Sequence, residues 1–160
     1  MDSNALIVLT TDVEAQMSLI EATSARLEER AAGLTSDDDA RLESVAYQVH
    51  NLYNAVEDLL KIVAAHFENQ IADAASWHTA LLYRMTQTIP SVRPPLLSEA
   101  SYRLLNDLRG FRHFFRHAYA APIEYDQLAL NLDRARQLRR RLREDVDRFL
   151  RELRSSAPNG

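Results

Sequence analysis

Two arginines, two histidines and a tyrosine lie within eight consecutive residues in the second half of this chain: Arg112, His113, Arg116, His117 and Tyr119. A histidine has an unperturbed pKa of about 6.5 and can accept or donate a proton near neutral pH. A guanidinium binds phosphate oxygens through paired hydrogen bonds. RNA is cleaved without metal when a base removes the 2′-hydroxyl proton, a cation stabilises the phosphorane, and an acid protonates the leaving oxygen. The segment has the groups that this chemistry needs.

The spacing and charge of these residues suggest how they divide the work. Arg109, Arg112, His113, Arg116 and His117 are three or four residues apart, so a helix would bring them to one side. Like charges at this spacing repel, which indicates that a bound anion offsets them. Neighbouring positive charge also favours a neutral imidazole. We therefore expect His117 to transfer protons, Arg112 to bind phosphate and stabilise the transition state, and the other three to bind RNA phosphates.

Tyr119 fits this chemistry less directly, because a phenol with a pKa near 10 is a poor base at neutral pH. Its ring can pack against the end of a helical bundle with the hydroxyl at the surface. Alternatively, the hydroxyl is a hydrogen-bonding group or a site of modification. The residues alone leave both interpretations open.

Metal and cofactor sites are not expected. His113 and His117 have the i, i+4 spacing of a helical metal pair, but no carboxylate lies between them and the flanking arginines would repel a dication. The only glycines are Gly33, Gly110 and Gly160, which excludes the glycine-rich loops that bind nucleotides. The absence of cysteine excludes a thiolate nucleophile and a cysteine-based zinc site.

The net charge of -4 is unevenly distributed. Residues 1–100 contain 6 basic and 15 acidic residues, whereas residues 101–160 contain 13 basic and 8 acidic ones. The basic part is where a polyanion would bind. Lys61 is the only lysine, and this arginine bias reflects either phosphate binding or the composition of a GC-rich genome.

A run of arginines in the last 30 residues also has two interpretations. It is either the solvated face of a helix, paired with Glu144, Asp145 and Asp147, or an electrostatic guide for RNA. The run consists of Arg134, Arg136, Arg139, Arg140, Arg141 and Arg143.

Apolar residues at three- and four-residue intervals predict long helices throughout. The first helix carries Leu6, Leu9, Val13, Met17, Ile20, Ser24, Leu27 and Ala31, and Gly33 fits its C-terminal end. Ser36 and the three aspartates of residues 37–39 supply a cap and first-turn carboxylates for the second helix, which carries Leu42, Val45, Val49, Leu52, Val56, Leu59, Val63 and Phe67. A short connection makes these two an antiparallel pair.

Three further helices are expected. One covers residues 73–88 and ends before the prolines of residues 90–95. The next is capped by Ser98, runs into the basic segment and stops near Pro122, and the last is capped by Asp126. The predicted fold is an all-α up-and-down bundle of about five helices, with residues 1–154 forming one domain and residues 155–160 a disordered tail.

Other polar and aromatic residues are given simpler roles. Tyr47, Tyr53, Tyr83 and Tyr102 are expected to pack within the bundle rather than to stack on bases. Glu57 is expected to pair with an arginine of the basic segment. No run of about 20 apolar residues is present, and the first residues lack the basic region of a signal peptide, so we expect a cytoplasmic protein without a membrane span.

The pattern R-x-x-x-x-H-x-Y formed by Arg112, His117 and Tyr119 resembles the motif of HEPN-domain ribonucleases, and in particular of HepT-like toxins. The resemblance extends over most of the chain, through residues 42–53, 67–69, 77–78, 92–94 and 109–113. The family position after the motif arginine is polar, often asparagine, and here it is His113.

The resemblance implies a metal-independent endoribonuclease that acts as a homodimer, with the motif helices of two subunits forming one RNA-binding cleft. It implies that Arg112 and His117 are the catalytic pair. It also implies a partner, an MntA-like nucleotidyltransferase antitoxin that transfers AMP from ATP to Tyr119 and forms a larger hetero-oligomer with the toxin. An adenylyl group adds bulk and negative charge two residues from His117, where substrate phosphate would bind.

Two non-enzymatic alternatives remain. The chain can be a helical module that binds a partner nucleotidyltransferase and its nucleotide or substrate. It can also be a degenerate HEPN dimer whose basic patch serves only assembly. RNA cleavage by the purified protein would separate a ribonuclease from both.

Overall fold

A computed structural model describes residues 1–68, 77–117 and 121–157 of the chain, without the side chains of residues 77 and 117. This part forms five helices: α1 (Ser3–Ala31), α2 (Asp39–Phe67), α3 (Trp77–Arg84), α4 (Glu99–His117) and α5 (Tyr125–Ser156). Its only β-type pairing is an isolated bridge between Ile89 and Arg93. The prediction of an all-α bundle of about five helices is confirmed.

The first two helices form the expected antiparallel pair. Each has 29 residues, or about 43 Å at 1.5 Å per residue. Gly33 has a φ of 73°, the left-handed conformation that glycine adopts after a helix. Asp38 caps α2, because its side chain accepts a hydrogen bond from the Arg41 backbone N–H at 3.1 Å. Near the other end of the pair, His66 contacts Asp12 at 3.1 Å.

The hydrophobic core lies between α2 and the helices around it. α1 contributes one apolar face, with Leu9, Val13, Met17, Ile20 and Leu27 buried. α2 is buried over a wider arc, because α1 packs on one side and α4 and α5 pack on others. Leu138, Leu142, Val146 and Phe149 of α5 complete the core. α2 is therefore one of the elements from which a side chain can reach α4.

The aromatic predictions are only partly correct. Tyr53 is fully buried, as expected. Tyr47 and Tyr83 are 53% and 56% exposed, so the expectation that they pack within the bundle is wrong. Their positions on α2 and α3 face away from the core, and Tyr83 meets the half-buried Tyr102 edge to face with 6.3 Å between ring centroids.

α3 ends at Arg84, earlier than the predicted end at residue 88, and its predicted start at residue 73 lies outside the described residues. The physical reason is a buried guanidinium. Arg93 donates to the backbone carbonyls of Arg84 and Gln87 at 3.1 and 3.0 Å, satisfying groups that a helix end leaves without partners. The chain turns back at Ser91, which has a φ of 63°.

The last two helices begin differently from each other. Ser98 caps α4 as predicted, since its hydroxyl accepts from the Ser101 backbone N–H at 3.2 Å. The cap predicted at Asp126 is wrong, because α5 starts at Tyr125 and Asp126 lies inside the first turn. There its negative charge interacts favourably with the positive end of the helix dipole.

α5 continues to Ser156 and so includes two residues of the predicted tail, whose last residues, 158–160, lie outside the described part. None of the helices described has both the length and the apolar run required to cross a membrane.

Candidate functional site

The basic segment occupies the last two turns of α4. Phe111 is buried in the core and Phe115 is half-buried against it, which holds this end of α4 against the bundle. Their rings stack with centroids 6.4 Å apart. Arg112 is half-buried, while His113 and Arg116 are exposed. The positive side chains thus lie along the edge of an apolar contact.

The remaining predicted residues are distributed as follows. Arg109 is half-buried and its Nη2 donates to Asn106 Oδ1 of the preceding turn at 3.1 Å. His117 is the last residue of α4, and its side chain is not among those described. Tyr119 lies outside the described residues.

Arg112 is held by α2. Its Nε donates to Asn54 Oδ1 at 2.9 Å, and its guanidinium carbon lies 5.8 Å from the centroid of the Tyr53 ring. The face of the Tyr53 ring attracts the guanidinium cation, and the amide oxygen of Asn54 fixes the Nε edge of the guanidinium. Within the described residues, the two terminal amino groups of Arg112 have no hydrogen-bond partner. Those groups can bind two oxygens of one phosphate.

Asn54 also contacts a second residue of α2, His50. Asn54 Nδ2 lies 3.1 Å from His50 Nε2. Because the amide oxygen faces a guanidinium, which only donates, the amide nitrogen faces the imidazole. His50 Nε2 therefore accepts this hydrogen bond, and the ring is neutral with its proton on Nδ1.

The surroundings of His50 favour this neutral ring. Burial lowers the pKa of His50 below its ordinary value of 6.5, and the charges of Arg112 and Arg116 lower it further. Phe115 covers the imidazole with 5.5 Å between ring centroids. His50 Nδ1 is buried and has no hydrogen-bond partner among the described residues.

Glu57 does not pair with an arginine of the basic segment, so that prediction is wrong. Its carboxylate, only 4% exposed, accepts hydrogen bonds from Tyr53 Oη at 3.0 Å and His78 Nδ1 at 2.7 Å. Tyr53 lies between Glu57 and Arg112, with its ring against the guanidinium and its hydroxyl on the carboxylate. Burial first, and then the Glu57 charge, raise the pKa of the Tyr53 phenol.

The arginine run of α5 is largely paired, but mostly with acidic residues of α1. The ion pairs are Arg136 with Glu28 at 2.7 Å, Arg139 with Glu21 at 2.7 Å, Arg143 with Glu14 at 3.0 Å and with Asp147, and Arg134 with Asp107 at 3.5 Å. Asp145 pairs with Arg148. Arg140 and Arg141 form no ion pair in the part of the chain described here. These contacts favour the interpretation of a solvated, paired face.

His50 and Asn54 were not identified from the sequence. Together with Glu57 they occupy positions i, i+4 and i+7 of α2, so they lie on one side of the helix. A polar line along a helix that is otherwise buried around much of its circumference is the signal that could have indicated them. Arg112, the α4 residue that contacts Asn54, is 58 residues away in the sequence.

Comparison with known proteins gives one match. A family model described as HepT-like protein matches residues 44–153, from the first turns of α2 almost to the end of α5. Neither the search of curated proteins nor the search of solved structures gave a significant match.

Proposed function

Since the chain belongs to the HepT-like family, a family of HEPN-type ribonuclease toxins, we propose that it is an endoribonuclease that cleaves RNA by metal-independent acid–base chemistry. The observation that carries the proposal is the geometry of Arg112. Asn54 and Tyr53 hold one edge and one face of its guanidinium, and the two terminal amino groups stay available to an anion.

In this mechanism Arg112 binds the scissile phosphate and stabilises the charge that develops on the phosphorane. His117, five residues later on α4, removes the 2′-hydroxyl proton as a base and, once protonated, delivers a proton to the leaving oxygen as an acid. Arg109, His113 and Arg116 bind neighbouring phosphates. The repulsion among these cations is offset when the RNA backbone lies along them.

The active form is a homodimer in which the two α4 segments meet across a twofold axis. Such an arrangement doubles the positive potential of one cleft, because an isologous contact brings the same surface of both subunits together. The exposed His113, Phe114 and Arg116 at the end of α4 supply a surface of this kind.

Control of the toxin is assigned to Tyr119, as the acceptor of AMP from a cognate MntA-like nucleotidyltransferase. Adenylylation adds a phosphate two residues from His117. The added phosphate would occupy the site at which Arg112 binds the substrate phosphate, or its negative charge would repel the substrate phosphate from that site.

The test of catalysis uses the purified chain and a labelled RNA in the presence of EDTA. Wild type is expected to cleave, and Arg112→Ala and His117→Ala to lose at least about 100-fold in rate, since a donor that stabilises transition-state charge and a general acid–base group each contribute that much or more. Arg140→Ala is the matched control, because Arg140 is an exposed arginine of α5 without an ion pair in the described structure.

Circular dichroism and thermal unfolding would show that each variant is folded. Cleavage at the wild-type rate by His117→Ala would contradict the proposal. An inactive wild type that still binds a partner nucleotidyltransferase would instead support the non-catalytic module.

A further inference from the structure

We infer that Asn54 is a positioning residue for Arg112, and that the protonation state of His50 determines whether Asn54 can act as one. The inference rests on the proposed function, because it assigns a support to the group that binds the scissile phosphate. It concerns three side chains in a row, His50 and Asn54 on α2 and Arg112 on α4.

The first step concerns the two orientations of a primary amide. In the observed one, the oxygen of Asn54 accepts from Arg112 Nε at 2.9 Å and the nitrogen lies 3.1 Å from His50 Nε2. A half-turn about the last side-chain bond would exchange oxygen and nitrogen. The NH2 group would then face the Nε–H of Arg112, donor against donor, and the guanidinium would lose its anchor.

The second step is the choice that His50 makes between these orientations. A neutral ring with its proton on Nδ1 presents a lone pair at Nε2 and matches the observed orientation. A ring with a proton on Nε2, whether the other tautomer or the imidazolium, presents a donor and matches the reversed one. The hold on Arg112 therefore exists in only one state of His50.

The third step is what keeps His50 in that state. The charged groups that act on the ring are Arg112 and Arg116 of α4, both positive, and Phe115 covers it. A second proton would lie on Nε2, where it would face the NH2 group of Asn54, donor against donor. The arginines that bind phosphate thus also favour the imidazole form that orients one of them.

The consequence for binding is that Arg112 presents a fixed pair of donors. With Nε on Asn54 and the face on Tyr53, the guanidinium has little freedom to rotate. A guanidinium that is already held in one orientation loses less conformational freedom when it binds a phosphate than a guanidinium that can rotate. Without Asn54, the same charge would remain in the site but its direction would vary.

The experiment has one arm that does not depend on catalysis. Nitrogen-15 NMR of the histidine rings in the intact 160-residue chain should show His50 neutral, protonated at Nδ1 and not at Nε2. The Arg112 Nε–H signal should be protected from exchange in wild type and lost in Asn54→Leu. A proton on His50 Nε2 at pH 8, or an unchanged Arg112 signal in the variant, would overturn the inference.

The second arm compares three substitutions in α2 by RNA cleavage and by titration with inorganic phosphate. Asn54→Leu should lose roughly 10- to 100-fold in kcat/KM, the size of effect expected when a catalytic group is misplaced, and should bind phosphate more weakly. Asn51→Leu is the matched control: Asn51 is also half-buried, one turn earlier, and makes no side-chain hydrogen bond within the described structure. It should behave as wild type.

Asn54→Asp separates the two contacts of the amide. Its carboxylate still accepts from Arg112 Nε but cannot donate to His50, so activity should stay within about threefold of wild type while the His50 proton moves to Nε2. If Asn54→Asp were as impaired as Asn54→Leu, anchoring of Arg112 would not be the role of Asn54.

The outcomes distinguish this inference from the proposed function. A wild type that does not cleave RNA, but has the expected His50 tautomer and loses phosphate affinity in Asn54→Leu, would contradict the ribonuclease and support the positioning role. A wild type that cleaves RNA, with Asn54→Leu equally active, would do the reverse.

Discussion

His50 is a histidine that the fold keeps neutral, which gives the protein a distinct response to acid. Burial lowers its pKa from 6.5, and Arg112 and Arg116 lower it further. The unfolded chain therefore binds a proton on this ring at a higher pH than the folded chain does. Stability linked to His50 is fully present above pH 6.5 and is lost as the pH falls from there to the lowered pKa.

We predict that wild type loses stability relative to His50→Gln as the pH falls below about 6.5. The reason is that only wild type has a ring that must stay neutral in the folded state. Urea unfolding of both proteins at several pH values between 8 and 5 measures the difference. The other four histidines are common to both chains and cancel.

A stability difference that stays constant across this range would contradict the prediction. If wild type instead became more stable relative to His50→Gln as the pH fell, the predicted direction would be wrong. Such a result would mean that His50 gains a proton on folding.

For individual residues, the sequence predicted the basic side of α4 but not the α2 side chains that hold Arg112. Spacing within one helix was sufficient to bring Arg109, Arg112, His113 and Arg116 together. The contact between Arg112 and Asn54 joins two helices, and no periodicity of either one reveals which turn of α2 lies beside α4. For the same reason Glu57 was assigned to the correct region and the wrong partner: the ring of Tyr53 lies between it and Arg112.

Among the elements, the connection between α3 and α4 depends on one arginine. Arg93 is fully buried, and it donates to the Glu68 carboxylate at the end of α2 as well as to the carbonyls at the end of α3. Burial alone would raise the pKa of Glu68, but hydrogen bonds from Arg84 and Arg93 outweigh it and hold the pKa below 4.5. The ion pair stabilises the fold above pH 4.5 and is lost as the pH falls through the lowered pKa.

We predict that Arg93→Met destabilises the protein by about 3–5 kcal/mol, the usual cost of removing one partner from a buried pair. The matched control is Arg84→Met, which removes the other arginine on the same carboxylate. The Arg84 side chain is 51% exposed, so its loss should cost less than about 1 kcal/mol. Denaturant unfolding at pH 7 measures both, and equal losses in the two variants would contradict this account.

The helices themselves were largely predictable, because apolar spacing and capping residues are local. Asp38, Ser98 and Gly33 have the roles that their positions indicated. The end of α3 was not predictable, since it is set by a buried side chain from a proline-containing loop nine residues further on. A lone arginine between prolines gives no local sign that it will be buried.

At the scale of the whole molecule, regulation requires a second protein to reach Tyr119. We predict that Tyr119→Phe remains a ribonuclease but is neither modified nor neutralised by the antitoxin with ATP, because it lacks the acceptor hydroxyl. Intact mass and RNA cleavage after incubation measure the two effects. Tyr125→Phe is the matched control, as Tyr125 is an accessible tyrosine at the start of α5.

An adenylyl adduct on Tyr119→Phe would contradict the assignment of the acceptor. Loss of cleavage in Tyr119→Phe before any antitoxin is added would mean that the hydroxyl takes part in the reaction itself.

The carboxylates of α1 act toward α5 as a built-in set of counterions. Glu14, Glu21 and Glu28 recur every seven residues and pair in reverse order with Arg143, Arg139 and Arg136. A nucleic acid releases its own condensed counterions when cations of the protein neutralise its phosphates, and this release gives binding its salt dependence. Arginines that are already paired with carboxylates of the protein contribute little to this neutralisation. The ionic-strength dependence of RNA binding should therefore be set mainly by the few cations at the end of α4. This is expected although α5 contains more than twice as many arginines as the end of α4.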